Sequence, residues 1–213
     1  MTAMQTLALG QPQTILCLGA HPDDIEIGCG GTLLSLLAQG NTRVHWHVFS
    51  GNEVRRTEAH QSAQAFLSNA SQAQVEVQRF RDSYFPDQWS DIKQYIESLR
   101  DCQPDVVFTH FENDRHQDHR VLAELTQCVF RNHLILQYEI PKYDGDLVSP
   151  NLMYPLSTEI SRTKVARLLE AFPSQHDKHW FCEELFLGLL RIRGAEIAAT
   201  YAEGFHLRKG RLA

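Results

Sequence analysis

Apolar runs alternate with helix-period segments along most of this chain. Residues 14–19 form a continuous apolar run and predict a buried strand. Residues 31–39 predict a helix, with Leu33, Leu34, Leu36 and Leu37 on its inner side and Gly40 just past its end. Residues 43–49 alternate and predict a second strand, and 54–67 a helix. A third strand at 75–80, a helix at 89–100, a fourth strand at 105–109, a helix at 118–130 and a fifth strand at 134–139 follow. Residues 141–155 are rich in Pro, Gly, Asp and Asn and predict a long loop, with a short strand at 152–156. Helices are expected at 159–171 and 183–193.

This order predicts an α/β fold: a three-layer α/β/α sandwich around a mostly parallel sheet with right-handed crossovers, plus a C-terminal elaboration. In doubly wound sheets the strand order often runs 3-2-1-4-5, which makes strands 1 and 4 neighbours and opens a crevice beyond their carboxyl ends. With no repeat, low-complexity tract or linker, residues 1–213 are expected to form one domain.

Two clusters of ligand-type residues fall at those two strand ends. His21-Pro22-Asp23-Asp24 follows strand 1, and His116-Gln117-Asp118-His119 follows strand 4. Topology brings both to one crevice. A catalytic zinc takes three protein ligands and keeps one position open, which two histidines and a carboxylate satisfy. The expected ligands are His21, Asp24 and His119; ferrous iron is an alternative to zinc. Adjacent side chains on an extended segment point apart, so Asp23 can serve as general base while Asp24 holds the ion. Pro22 stiffens the turn between them. A bound divalent ion lowers the pKa of water from about 15.7 to about 7. His116, three residues before His119, is placed to donate to an oxyanion, and Asp118 to orient a ligand histidine. Asp118 as a plain helix cap, and His116 as a fourth ligand closing a purely structural site, are the competing readings. Together the parts suit hydrolysis of an amide or ester.

The stretch Gly28-Cys29-Gly30-Gly31 does not follow strand 1 directly, as a dinucleotide loop should. It is expected to turn the backbone closely under the metal site. Trp46, Trp89, Trp180 and Met153 are assigned to packing.

Residues 19–32, Gly-Ala-His-Pro-Asp-Asp-Ile-Glu-Ile-Gly-Cys-Gly-Gly-Thr, resemble the signature of the LmbE-like, or PIG-L, deacetylases, and Arg115-His116-Gln117-Asp118-His119-Arg120 is similar to their downstream element. The resemblance covers roughly residues 14–125. It implies a Rossmann-like fold and a zinc-dependent N-deacetylase acting on N-acetylglucosamine conjugates or related amides. It also implies His21, Asp24 and His119 as metal ligands, Asp23 as general base and His116 as stabiliser of the tetrahedral intermediate. From Arg55-Arg56-Thr57-Glu58 and Arg81-Asp82-Ser83 it further implies sugar contacts by Arg55 and Asp82. Two positions depart from the common pattern: Ile25 precedes Glu26 where a glutamate often follows the aspartates, and Gln117 stands where proline is common. Residues 138–155 and the tail 201–205 are expected to wall the pocket and to set substrate choice.

Composition narrows the partners. Asp plus Glu number 26 against 20 Lys plus Arg, a net charge of −6, which argues against a nucleic-acid surface. The expected partner is a small-molecule or glycan-conjugate substrate, and a homo-oligomer is compatible with the sequence. Five scattered cysteines without a CxxC pair point to free thiols and a cytoplasmic setting. Residues 1–13 lack the basic and apolar regions of a leader, and no stretch is long enough to span a bilayer. The competing functions are an amidase for a larger acyl group and a non-catalytic nucleotide-binding module.

Overall fold

The computed structural model describes Thr6 and residues 9–211; most of the N-terminal stretch read for a leader (1–5, 7 and 8) lies outside the described residues. The elements run β1 (Thr14–Gly19), α1 (Asp24–Leu37), β2 (Arg43–Ser50), α2 (Glu53–Phe66), β3 (Gln72–Phe80), α3 (Trp89–Ser98) and β4 (Val106–His110). Then come α4 (Gln117–Val129), β5 (Leu134–Tyr138), β6 (Leu152–Leu156), α5 (Thr158–Ala171), α6 (Glu183–Glu196) and β7 (Tyr201–His206). They build one seven-stranded sheet of order β3-β2-β1-β4-β5-β7-β6. The first five strands pair in parallel, while β7 pairs antiparallel with both β5 and β6.

Alternation along β1 creates two cores. Ile15 and Cys17 point to the face covered by α1, α2, α5 and α6; Leu16 and Leu18 point to the face covered by α3 and α4. β1 is buried at every position, which is why it reads as an unbroken apolar run. Side chains cap helices where the sequence offers them: Asn52 accepts from Arg55 N–H at α2, and Ser157 from Ile160 N–H at α5.

Two expectations need correction. α1 begins at Asp24, seven residues before the expected start, so the glycines lie inside a helix and not in a turn. Their role is close packing. A Cβ at Gly28 would sit 2.2 Å from the Tyr138 ring, one at Gly30 2.7 Å from Phe66, and one at Gly31 2.6 Å from Leu156. They are buried and offer no phosphate loop. The second correction is the tail. Residues 201–206 form strand β7, and they do not line the cavity described below. Glu203 on that strand is buried, accepts from the N–H groups of Gly31 and Thr32, and pairs with Lys164 at 2.6 Å. Lys164 in turn donates to Ile27 C=O, so β7 and α5 together brace the middle of α1.

No helix among the described residues is long and apolar enough to cross a membrane. All five cysteines are free.

Candidate metal and catalytic site

β1 and β4 lie side by side, and the segments leaving their carboxyl ends floor a cavity of ≈670 Å³. His21, Asp23 and Asp24 enter it from the first segment, His116 and His119 from the second, Arg55 from α2 and Asp82 from the loop after β3. Asp118 is fully buried and is not part of the cavity lining. A second cavity, of ≈680 Å³, lies against α4 and β5; it shares no residue with the first and carries Arg120, Arg131, Arg208 and Lys209.

The Asp23-Asp24 pair is divided by a backbone twist. Asp23 has φ 96°, a left-handed conformation that costs a residue with a Cβ about 1–2 kcal/mol. Asp24 then opens α1 and reaches His21 and His119, while Asp23 reaches Arg55 at 2.8 Å.

The tautomers follow from the carboxylates. His119 Nδ1 lies 2.9 Å from Asp114 Oδ2, so Nδ1 donates and the lone pair is on Nε2. Burial alone would raise Asp114, but the hydrogen bond from His119 and the Lys142 ammonium hold its carboxyl well below the usual range. His21 Nε2 lies 3.2 Å from Asp82 Oδ1 and 3.3 Å from Asp118 Oδ2, so in the neutral ring the lone pair is on Nδ1. The two lone-pair nitrogens are 3.1 Å apart, and Asp24 Oδ2 is 3.3 Å from His21 Nδ1 and 3.6 Å from His119 Nε2. Three acceptors thus face one another. The edge of a tetrahedron of N and O ligands around zinc is about 3.3 Å, so this donor set fits a single divalent ion.

The surrounding charges favour a cation there. Burial lowers the His21 imidazole, yet Asp118 and Asp24 prevail and hold it well above its ordinary value, so the free ring carries a second proton on Nδ1 that a bound ion would displace. Burial would raise Asp24, but His119 and His110 keep it well below the usual range. Burial pushes His119 down to about 3, with His110 adding to the effect, so it stays neutral, as a ligand must.

Asp23 is pushed up to about 6 by burial, against the pull of Arg55. Arg55 lines the cavity, but its guanidinium already donates to Asp23, Pro22 C=O and Glu58 and lies 5.0 Å from the centre of the Phe172 ring. Asp82 is exposed at the mouth, and its hydrogen bond to His21 lowers it to about 2. His116 caps α4: its Nδ1 accepts from Asp118 N–H at 3.3 Å, which leaves the proton on Nε2. Its ring stacks on His119 with centroids 4.6 Å apart, and burial lowers its basicity. Asp118 also accepts from the N–H groups of Ser83 and Phe85, so it pins the loop after β3 to the histidines.

Three residues went unnoticed in the sequence. Asp114 fixes the His119 tautomer. Lys142 lines the cavity and pairs with Asp114 at 2.9 Å. His110, the last residue of β4, is fully buried, accepts from Ala20 N–H at 2.9 Å and stacks on His119 with centroids 3.8 Å apart. The position of His110 at a strand's carboxyl end was the available signal.

Residues 16–130 match the family model described as PIG-L: GlcNAc-PI de-N-acetylase. A relative from Escherichia coli K12, described as the uncharacterized deacetylase YaiS, is 30% identical over 136 residues, covering 60% of this chain and 74% of that protein. Among solved structures, the N,N'-diacetylchitobiose deacetylase of Pyrococcus horikoshii, complexed with its inhibitor MPG, superposes with a TM-score of 0.73 at 22% identity, over 92% of this chain and 84% of that one. GalB, the 4-carboxy-2-hydroxymuconate hydratase of Pseudomonas putida, gives 0.73 at 18% identity, over 94% and 98%. The architecture is therefore shared by proteins with different activities, and fold alone does not choose between them.

Proposed function

This chain belongs to the PIG-L (GlcNAc-PI de-N-acetylase) family, and from that premise we propose that it is a metal-dependent deacetylase, one domain over residues 1–213, that removes the N-acetyl group from an acetylated amino sugar or its conjugate. The observation that carries the reading is the set of three acceptor atoms on His21, Asp24 and His119, 3.1 to 3.6 Å apart. Zinc is the ion this set suits best, with ferrous iron as the alternative. When bound, such an ion supplies Lewis-acid polarisation of an amide carbonyl and acidification of water.

The chain's own groups do the rest. Asp23, buried and tethered by Arg55, takes a proton from water and passes it to the departing amine nitrogen. His116 offers Nε2–H to the carbonyl oxygen as negative charge gathers there. Asp114 and Asp118 orient His119 and His21. Asp82 offers carboxylate oxygens to sugar hydroxyls at the mouth. Arg55 positions Asp23, and any sugar contact it makes comes second to that task.

The test is acetate release from N-acetylglucosamine conjugates by metal-reconstituted protein, with Asp23→Asn alongside. The expected loss in Asp23→Asn is about 10²–10⁴-fold, the usual contribution of a general base, with metal content unchanged by elemental analysis. Unchanged turnover removes Asp23 from the mechanism. Release of longer acyl groups in preference to acetate establishes the amidase alternative.

A further inference from the structure

We propose that the cavity beside α4 and β5 is a second ligand site, built for a small phosphorylated anion that carries at least two negative charges. It shares no residue with the metal cavity, and it does not depend on the deacetylase reading. The second core stops at α4. Its buried residues come from β1, β2, β4, α3, α4 and the segments joining them, and none from β5, β6 or β7. Leu136 and Tyr138 of β5 alternate into the first core, so Ile135 and Gln137 project to the other face. There they line the cavity of ≈680 Å³.

Charge and one unpaired donor select the occupant. The chain as a whole carries −6, yet here Arg120, Arg131, Arg208 and Lys209 are set against Glu112 and Glu124 alone. Positive charge is therefore gathered locally, against the sign of the whole molecule. The basic tail is tied down: Arg208 Nη1 donates to Gln127 Oε1 and, at 3.2 Å, to Glu112 Oε2, and Lys209 Nζ donates to Arg131 C=O at 2.7 Å. Gln137 is 2% exposed; its Oε1 accepts from Glu112 N–H, while its Nε2 has no hydrogen-bond partner among the described residues. A buried donor left unpaired costs about 1–3 kcal/mol, which an oxygen of a bound anion recovers. Arginine forks match phosphate oxygens two at a time, and the cations in excess of the glutamates call for more than one negative charge. A symmetric contact with a second copy would set these cations against themselves.

Calorimetric titration of inorganic diphosphate into the metal-free full chain tests this; metal is left out because diphosphate chelates it. Saturable binding is expected. Arg131→Ala and Arg208→Ala should each weaken it about tenfold or more, the scale of one charge-assisted hydrogen bond. Both residues are exposed, so the variants keep the fold. Gln137→Glu keeps the acceptor for Glu112 N–H but replaces the free donor with a negative charge, and should abolish binding. Arg162→Ala, at an exposed arginine on α5, should change nothing. Absence of saturable binding overturns the proposal, as does unchanged affinity in the cavity variants. A loss in Arg162→Ala equal to theirs marks diffuse attraction to surface charge and overturns it too. So does binding that survives Arg131→Ala and Arg208→Ala but disappears in His119→Ala, which puts the anion at the metal centre. Acetate release plays no part in the readout, so failure of this site and failure of the deacetylase reading are separate results.

Discussion

His119 Nδ1 and Asp114 Oδ2 are 2.9 Å apart, and that one contact aims the His119 lone pair at His21 and Asp24. Asp114 also accepts from His116 N–H and pairs with Lys142, so it is held from three sides. Carboxylates in this position raise the basicity of a ligand histidine, and losing them costs about 10–100-fold in metal affinity. Asp114→Ala is expected to weaken metal binding by that factor in a chelator competition. Asp114→Asn keeps an acceptor for Nδ1–H and should fall less. Identical affinity in the parent and both variants would show that Asp114 does not orient the ligand.

Arg55 and Asp23 give a prediction in pH. The guanidinium favours the Asp23 carboxylate and works against the burial that lifts it to about 6. Removing the positive charge in Arg55→Ala raises Asp23 further. The base then loses its proton only at higher pH, so the acidic limb of the kcat/KM profile moves upward. Activity should drop more at pH 6 than at pH 8. A limb that stays in place, or moves down, separates Arg55 from the ionisation of Asp23.

Much of this was legible in the chain itself. β1 and β4 read as apolar runs because neighbours on both sides bury them, β2 alternates, and the two ligand clusters are short contiguous motifs at strand ends. The 3-2-1-4-5 core of the sheet follows from general topology. What escaped depends on partners distant in sequence. β7 carries a buried Glu203 whose cation, Lys164, lies on α5, so its pattern does not read as a strand. The first turns of α1 hold three glycines, poor helix formers, and tertiary packing on Tyr138, Phe66 and Leu156 overrides that propensity. Asp114 looks like any loop aspartate until His119 is folded back onto it.

Gly28 is the sharpest test of that packing. A methyl group there would overlap the Tyr138 ring at 2.2 Å. Tyr138 is fully buried and donates to Leu18 C=O, so it has no free direction in which to move. Overpacking of this kind costs about 1–3 kcal/mol, or more where the neighbour cannot yield. Each kcal/mol lowers the melting temperature of a domain this size by about 2–4 °C. Gly28→Ala should therefore melt several degrees lower. An unchanged melting temperature would mean that helix propensity, not space, limits this position.

Glu26 links the same helix to pH. It is buried, neither carboxyl oxygen has a hydrogen-bond partner among the described residues, and burial pushes it up to about 8 from an ordinary 4.5. Between those values the folded chain keeps a proton that the unfolded chain has released. Stability contributed by Glu26 is therefore full below pH 4.5 and falls as pH rises towards 8, by at most about 1.4 kcal/mol per pH unit. Glu26→Gln cannot release that proton. In metal-free protein its urea midpoint should exceed the parent's at pH 8 and approach it near pH 5. A gap of the same size at both pH values would show that Glu26 does not titrate across this range, and would place any benefit of glutamine in packing instead.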